Sequence, residues 1–280
     1  MKNIQQIVEP EIQLVEDETL RVVLMRTYVE AAPMLDAIQR FFEEVAGQAW
    51  PSAARCQFFK NWRNPAIGAG SFCALTCRLL QEASLAERQS TRQSSLFQSA
   101  ARIAEVSNED MGLCGRNHAA LYDDMATAFC GTDTWKLQRF SLPEATDYLT
   151  RAREYRERGE DMVQALMISL AEELYNHGEF TYIAPLFKKW YSLVPGLSAE
   201  NRKRDLQFVF EHVGGTESGH FANMVEGLVH YCRAYDIAPD WEALSWCNRD
   251  YIHGIASSFE HLRQAMQQTS EQPPSAAVNA

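Results

Sequence analysis

Apolar residues along this chain recur at intervals of three and four, and the strict alternation of a half-buried strand is scarce. Over residues 20–45, Leu24, Tyr28, Met34, Leu35, Ile38, Phe41 and Phe42 fall on helical faces, and Pro33 stands where its missing N–H breaks or kinks the run. The same spacing predicts helical segments over 52–82, 91–106, 117–130, 143–156, 160–176, 181–193, 199–233, 240–248 and 250–266. Gly112 and Gly115, Gly131, Gly159, Gly178, Pro195-Gly196 and Pro239 punctuate them. Ser141 with Glu144, and Ser198 with Asn201, read as N-capping signals. The pattern predicts an all-α fold. No repeat and no linker-like stretch interrupts residues 21–266, which read as a single helical domain. Residues 1–20 read as an N-terminal tail, and the polar, Pro-containing 267–280 as a disordered C-terminal tail.

Composition narrows the function classes. Of 280 residues 46% are hydrophobic, enough for a substantial core. The net charge of −11, with no dense Lys/Arg stripe, excludes nucleic acid as an expected partner. No apolar run is long enough to span a bilayer, and Met1-Lys2-Asn3-Ile4-Gln5-Gln6 lacks the apolar core of a secretion signal. The seven cysteines are scattered and form no Cys-x-x-Cys pair, so neither a disulfide framework nor a zinc knuckle is expected. A reduced, cytoplasmic protein is the expectation. A homodimer is the expected assembly on its general frequency alone.

Candidate chemistry gathers in three segments. In Glu109-Asp110-Met111-Gly112-Leu113-Cys114-Gly115-Arg116-Asn117-His118, one helix is expected to end near Met111 and the next to open at His118. Such a corner lets Glu109 and His118 converge; a helix C-cap followed by a capping histidine explains the same residues. In Glu211-His212-Val213-Gly214-Gly215-Thr216-Glu217-Ser218-Gly219-His220, Glu217 and His220 are three apart and share a helix face. His212 precedes Glu217 by five residues, about 140° away in a regular α-helix. A π-bulge at Gly214-Gly215 would align all three, whereas the alternative is that the glycines end one helix and Thr216 caps another. On the third segment Glu173 shares a face with Leu166 and Leu170, where a carboxylate is costly unless paired or metal-bound. Glu172 is the alternative there, and His177 beside Gly178 reads as a C-cap. Glu109, His118, Glu173, His212, Glu217 and His220 together offer a mixed oxygen and nitrogen donor set that suits iron or manganese. Only one Glu-x-x-His pair is present, Glu217 to His220, where helical di-iron carboxylate bundles use two.

With these residues in place, the sequence resembles the haem-oxygenase-like diiron oxidases and oxygenases, relatives of the thiaminase and pyrroloquinoline-quinone synthase helical fold. The match lies in Glu109 through Asn117-His118 with the following Ala119-Ala120-Leu121-Tyr122, in the mid-chain Glu173, and in His212 to His220. In the last element Glu217 stands where the family has Asp, and one residue is inserted after His212. The resemblance implies a haem-oxygenase-like helical bundle holding two Fe(II) per chain, with Mn as the alternative metal and O2 as co-substrate. It implies oxidation of a small amino acid, amine or fatty acid by N-oxygenation, carbon–carbon cleavage, desaturation or cyclisation in natural-product biosynthesis. Electrons would come from an external donor or from the substrate. No histidine precedes residue 118, which disfavours haem oxygenase activity. A metal-free enzyme of the same fold, and a degenerate member that binds a ligand or partner, stay open. Arg63 and Arg116 are candidate clamps for a substrate carboxylate, a surface salt bridge being the plainer role of each. Trp62, Phe72, Tyr122, Phe208 and Phe221 are candidate pocket walls.

Overall fold

The computed structural model describes residues 1–62, 65–113 and 115–271. Arg63, one of the expected substrate clamps, and 272–280, most of the expected C-terminal tail, lie outside the described residues. In chain order the helices are α1 (Ile4–Gln13), α2 (Glu18–Glu30), α3 (Ala32–Gly47), α4 (Ser52–Asn61), α5 (Pro65–Leu85), α6 (Thr91–Asp110) and α7 (His118–Cys130). There follow α8 (Pro143–Arg158), α9 (Met162–Leu193), α10 (Arg202–Asp205), α11 (Gln207–Glu211), α12 (Gly215–Ala234) and α13 (Trp241–Glu271). The fold is all-α, with no strand among the described residues. One continuous apolar core joins Ile4 to Met266, as in a single domain. No helix among the described residues is long and apolar enough to cross a membrane.

Every residue from Ala165 to Phe180 is buried. A helix covered on all sides sits at the centre of a bundle, and α1, α3, α8, α12 and α13 pack around α9. α12 lies against both α6 and α9, while α11 lies against α7 and α9. The end of α6, the start of α7, the middle of α9 and the α11–α12 junction therefore meet. α5 and α8, packed on each other, close the same space from another side.

Residues 1–20 are not a tail. Asn3 caps α1 reciprocally with Gln6: Asn3 Oδ1 accepts the Gln6 N–H at 2.8 Å, and Gln6 Oε1 accepts the Asn3 N–H at 3.1 Å. Ile4, Val8 and Ile12, one turn apart, are fully buried. Their seat is prepared by α9, where a Cβ on Gly178 would stand 2.7 Å from Ile4 and 2.8 Å from Val8. Gly178 thus admits a neighbouring helix rather than ending its own, and the expected segments 160–176 and 181–193 are one helix that also contains Pro185. His177 is in consequence a buried mid-helix residue rather than a C-cap. Its Nε2 lies 4.0 Å from Glu11, and burial lowers its pKa. Ile4→Ala is expected to lower the unfolding free energy by about 2–5 kcal/mol, read from urea denaturation; a tail residue would change nothing.

Other boundaries moved as well. α13 merges 240–248 with 250–266, and residues 267–271 of the expected tail are its last turn. The run 199–233 divides into α10, α11 and α12. Leu142, not Ser141, precedes α8, with Pro143 supplying a pre-set φ in place of a side-chain cap. Asn201 precedes α10 without a side-chain cap bond.

Candidate metal centre

The corner between α6 and α7 is built by three residues. Gly112 has φ +91°, and a Cβ there would lie 2.6 Å from the Asn117 backbone nitrogen, so the tight return requires glycine. Asn117 caps α7, its side-chain oxygen accepting the Ala120 N–H at 2.7 Å. With the cap supplied by Asn117, the ring of His118 turns inward and is buried, its Nδ1 2.8 Å from Asp110 Oδ1. Asp110, which the sequence reading passed over, is the carboxylate that meets His118. Neighbouring residues on a helix diverge by about 100°. Glu109 accordingly turns toward α12, where its Oε2 lies 3.0 Å from His220 Nε2.

The second histidine segment contains no π-bulge. α11 stops at Glu211 with His212 as its C-cap, Gly214 takes φ +95° and ψ −131°, and α12 begins at Gly215. That backbone conformation is essentially restricted to glycine. Thr216 falls inside α12 instead of capping it. The break achieves what the bulge was expected to do: His212 Nε2 comes to 3.7 Å from Glu217 Oε1. His212 Nδ1 lies 2.6 Å from the Phe208 carbonyl. A carbonyl only accepts, so Nδ1 carries a proton and Nε2 is the ring nitrogen turned toward Glu217. The ring packs on Phe180 and His118, each with its centroid 4.2 Å away.

On α9 the two adjacent acids separate. Glu173 is buried, with Oε2 3.2 Å from His220 Nδ1; Glu217 Oε2 is 3.9 Å from the same nitrogen. Glu172 turns to α8, where its Oε2 accepts from both terminal nitrogens of Arg156, at 2.7 Å from Nη1.

The donors form two groups, Asp110–His118–His212 and Glu173–Glu217–His220, all buried except the partly exposed Asp110, and within each the donor atoms lie no more than 4.8 Å apart. Around a small divalent cation with bonds near 2.1 Å, donors stand about 3 to 4.2 Å from one another, so a slight contraction closes either group. His118 Nδ1 gives a sharper test. It is buried and close to Asp110 Oδ1, yet angled so that no N–H bridges the two atoms, and it has no other hydrogen-bond partner among the described residues. A buried polar atom left in this way is costly unless a cation takes the place of the missing proton. The donor set fits divalent iron or manganese. His220 carries the electrostatics of its group: burial opposes its charge, but hydrogen bonds to Glu109 and Glu173 and the charges of Glu173 and Glu217 outweigh it, pushing its pKa up to about 11. The same bond to His220 holds Glu109 below the usual carboxylate range.

The donors open onto a cavity of about 290 Å³, lined also by Phe72, Phe180, Phe208, Lys60, Arg153 and Arg156. Glu109 is not on its wall and stands behind His220. Two expected substrate contacts are placed elsewhere. Arg116 pairs with Asp124 at 2.8 Å on the surface. Tyr122 is buried beyond Phe208 and donates its hydroxyl to the Phe59 carbonyl at 2.6 Å. Trp62 and Phe221 are core residues away from the cavity wall. The two cavity arginines went unseen because Arg151-Ala152-Arg153-Glu154-Tyr155-Arg156-Glu157-Arg158 reads as a solvated face; the i,i+3 spacing of Arg153 and Arg156 was the available signal.

Two solved structures share this architecture. A TenA homolog from Pseudomonas syringae pv. tomato has a TM-score of 0.61 at 10% sequence identity, over 86% of this chain and 93% of its own. A CADD-like protein of unknown function from Nostoc punctiforme has a TM-score of 0.54 at 16% identity, over 97% of this chain and 99% of its own. The chain has the haem-oxygenase-like helical fold. Identities this low establish the haem-oxygenase-like architecture and leave the chemistry to be argued from the residues. No family model and no curated protein matches the sequence.

Proposed function

We propose that this chain is an O2-dependent non-haem diiron oxidoreductase acting on a small amino acid, amine or fatty acid. The observation that carries the reading is the pair of donor groups joined by the 3.7 Å approach of His212 to Glu217. Glu217 is near the histidines of both groups, with Oε1 3.7 Å from His212 Nε2 and Oε2 3.9 Å from His220 Nδ1, so it would be available to hold a cation in either. Bound there, two ferrous ions would supply O2 activation and redox equivalents, the remaining electrons coming from an external donor or the substrate.

The chain's own residues do the positioning. The Phe208 carbonyl fixes the tautomer and angle of His212. Glu109 accepts the Nε2 proton of His220, so that Nδ1 is the atom presented to Glu173 and Glu217. Phe180 and Phe208 cover the donors and keep bulk water from them. A cavity of about 290 Å³ lies at the small end of ligand pockets, which favours a metabolite over a polymer.

Anaerobic titration of metal-free protein with Fe(II) should saturate close to two equivalents per chain, followed by a transient visible absorption on exposure to O2. Uptake no greater than that of an unrelated protein would end this reading.

A further inference from the structure

We propose that Arg153 anchors the ligand of this cavity by a carboxylate, making the substrate a small carboxylate anion. The proposal rests on the reading above for the word substrate and for the cations that offset the donor carboxylates; the position of the fork stands on the geometry of α8. That helix brings Arg153 and Arg156 to the cavity on one face, and the two differ in what holds them. Arg156 is almost fully buried, lies over the Phe72 ring at 4.5 Å from its centroid, and gives both terminal nitrogens to Glu172. Its charge is matched within the protein. Arg153 is one-third exposed, and its one ionic partner among the described residues is Glu157, 3.5 Å from Nε, on a wet helix face. That contact is too long and too solvated to hold the guanidinium, and the buried Nε makes no hydrogen bond.

Lys60 and Asn61, on the same lining, are held by backbone groups. Lys60 Nζ donates to the Lys136 carbonyl at 2.7 Å. The Asn61 amide donates to the Gln57 and Phe140 carbonyls and accepts the Leu142 N–H. With Glu172 matched by Arg156, and the donor carboxylates matched by the cations they would hold, Arg153 is the guanidinium of the lining that has only a solvated counter-charge. A guanidinium fork fits a planar two-oxygen anion through two parallel hydrogen bonds. One available fork takes one carboxylate, and the other end of the molecule then points past Phe72 and Phe180 toward the donors.

The test is calorimetric titration of hexanoate, with hexanamide as its uncharged counterpart, into protein loaded anaerobically with Mn(II) and assayed for metal in the same samples. Hexanoate should bind at least tenfold more tightly than hexanamide. Arg153→Gln should remove that preference and Arg153→Lys restore part of it. Arg151→Gln, exposed on the same helix and off the cavity, should keep it, with metal content and helical circular dichroism unchanged in all three. Failure of hexanoate to bind, or equal affinity in wild type and Arg153→Gln, would overturn the proposal while leaving the metal reading intact. Absence of bound Mn(II) would overturn the metal reading and, with it, the charge balance that the anion site requires. Tighter binding of inorganic phosphate than of hexanoate would overturn the carboxylate assignment.

Discussion

His220→Ala is expected to empty one of the two cation positions, leaving at most one equivalent of Fe(II) per chain. His220 is the sole nitrogen donor of its group. Without it Glu109, Glu173 and Glu217 lose the partner that separates their charges. Changing a residue that only orients a ligand costs about 10–100-fold in metal affinity, and loss of the ligand itself costs more. That distinction separates the two acids at the end of α6. Glu109→Gln should weaken one position within that range, whereas Asp110→Asn should remove the other equivalent outright. Counting bound iron after gel filtration reads both; the reverse pattern would exchange their roles. The pH dependence follows from the same residue. The pKa of His220 in the metal-free protein is raised to about 11, so its contribution to stability is complete below its unfolded value of about 6.5 and is lost as the pH rises through 11. A cation entering the group must displace the Nδ1 proton. Uptake near neutral pH should therefore release a proton, seen as a buffer-dependent binding enthalpy, and should weaken as the pH falls.

How far the centre could be read from sequence depends on what each residue signals locally. Glu173 was legible as a carboxylate on a leucine face, and Glu217 with His220 as an i,i+3 pair. Asp110 was not, because adjacent acids at a helix end look interchangeable until the last turn fixes which one faces inward. The approach of His212 to Glu217 was anticipated and its cause was not: one backbone residue, Gly214 at φ +95°, replaces the bulge. A pair of glycines serves either device, and only the packing of α11 on α7 and α9 selects the break.

The same ambiguity governs the fold. Helical periodicity located nearly every segment, yet it misjudged both ends and the centre. In α1 the three buried residues Ile4, Val8 and Ile12, with Ile7 beside them, carry too little periodic signal to stand out, and the partner that seats them is more than 160 residues away at Gly178. Gly178 then misled in turn, since a glycine that admits a neighbouring helix and one that ends its own helix are spelled alike. Non-local contacts decided these cases, and no window of sequence contains them.

Arg156→Met is expected to be among the most destabilising single changes near the cavity. The side chains of Arg156 and Glu172 are only 3% and 10% exposed, so removal of the arginine takes a guanidinium partner from a buried carboxylate. Breaking such a pair costs about 3–5 kcal/mol, which in a chain of this size lowers Tm by roughly 6–15 °C. The double change Arg156→Met with Glu172→Leu should recover most of that loss, because replacing both partners by apolar side chains leaves no charge uncompensated. If the double variant melts as low as the single one, packing over Phe72 rather than the ion pair is what Arg156 supplies. Metal content gives the second reading. Glu172 and Glu173 are adjacent on α9, and Arg156 is the group that draws the first toward α8. Without it, Glu172, already on the cavity wall, loses the guanidinium that holds it away from the Glu173–Glu217–His220 group. The single variant should therefore bind metal with altered affinity where the double variant retains the wild-type value, since a buried ion pair that sorts two neighbouring acids sets the number of donors as well as the stability.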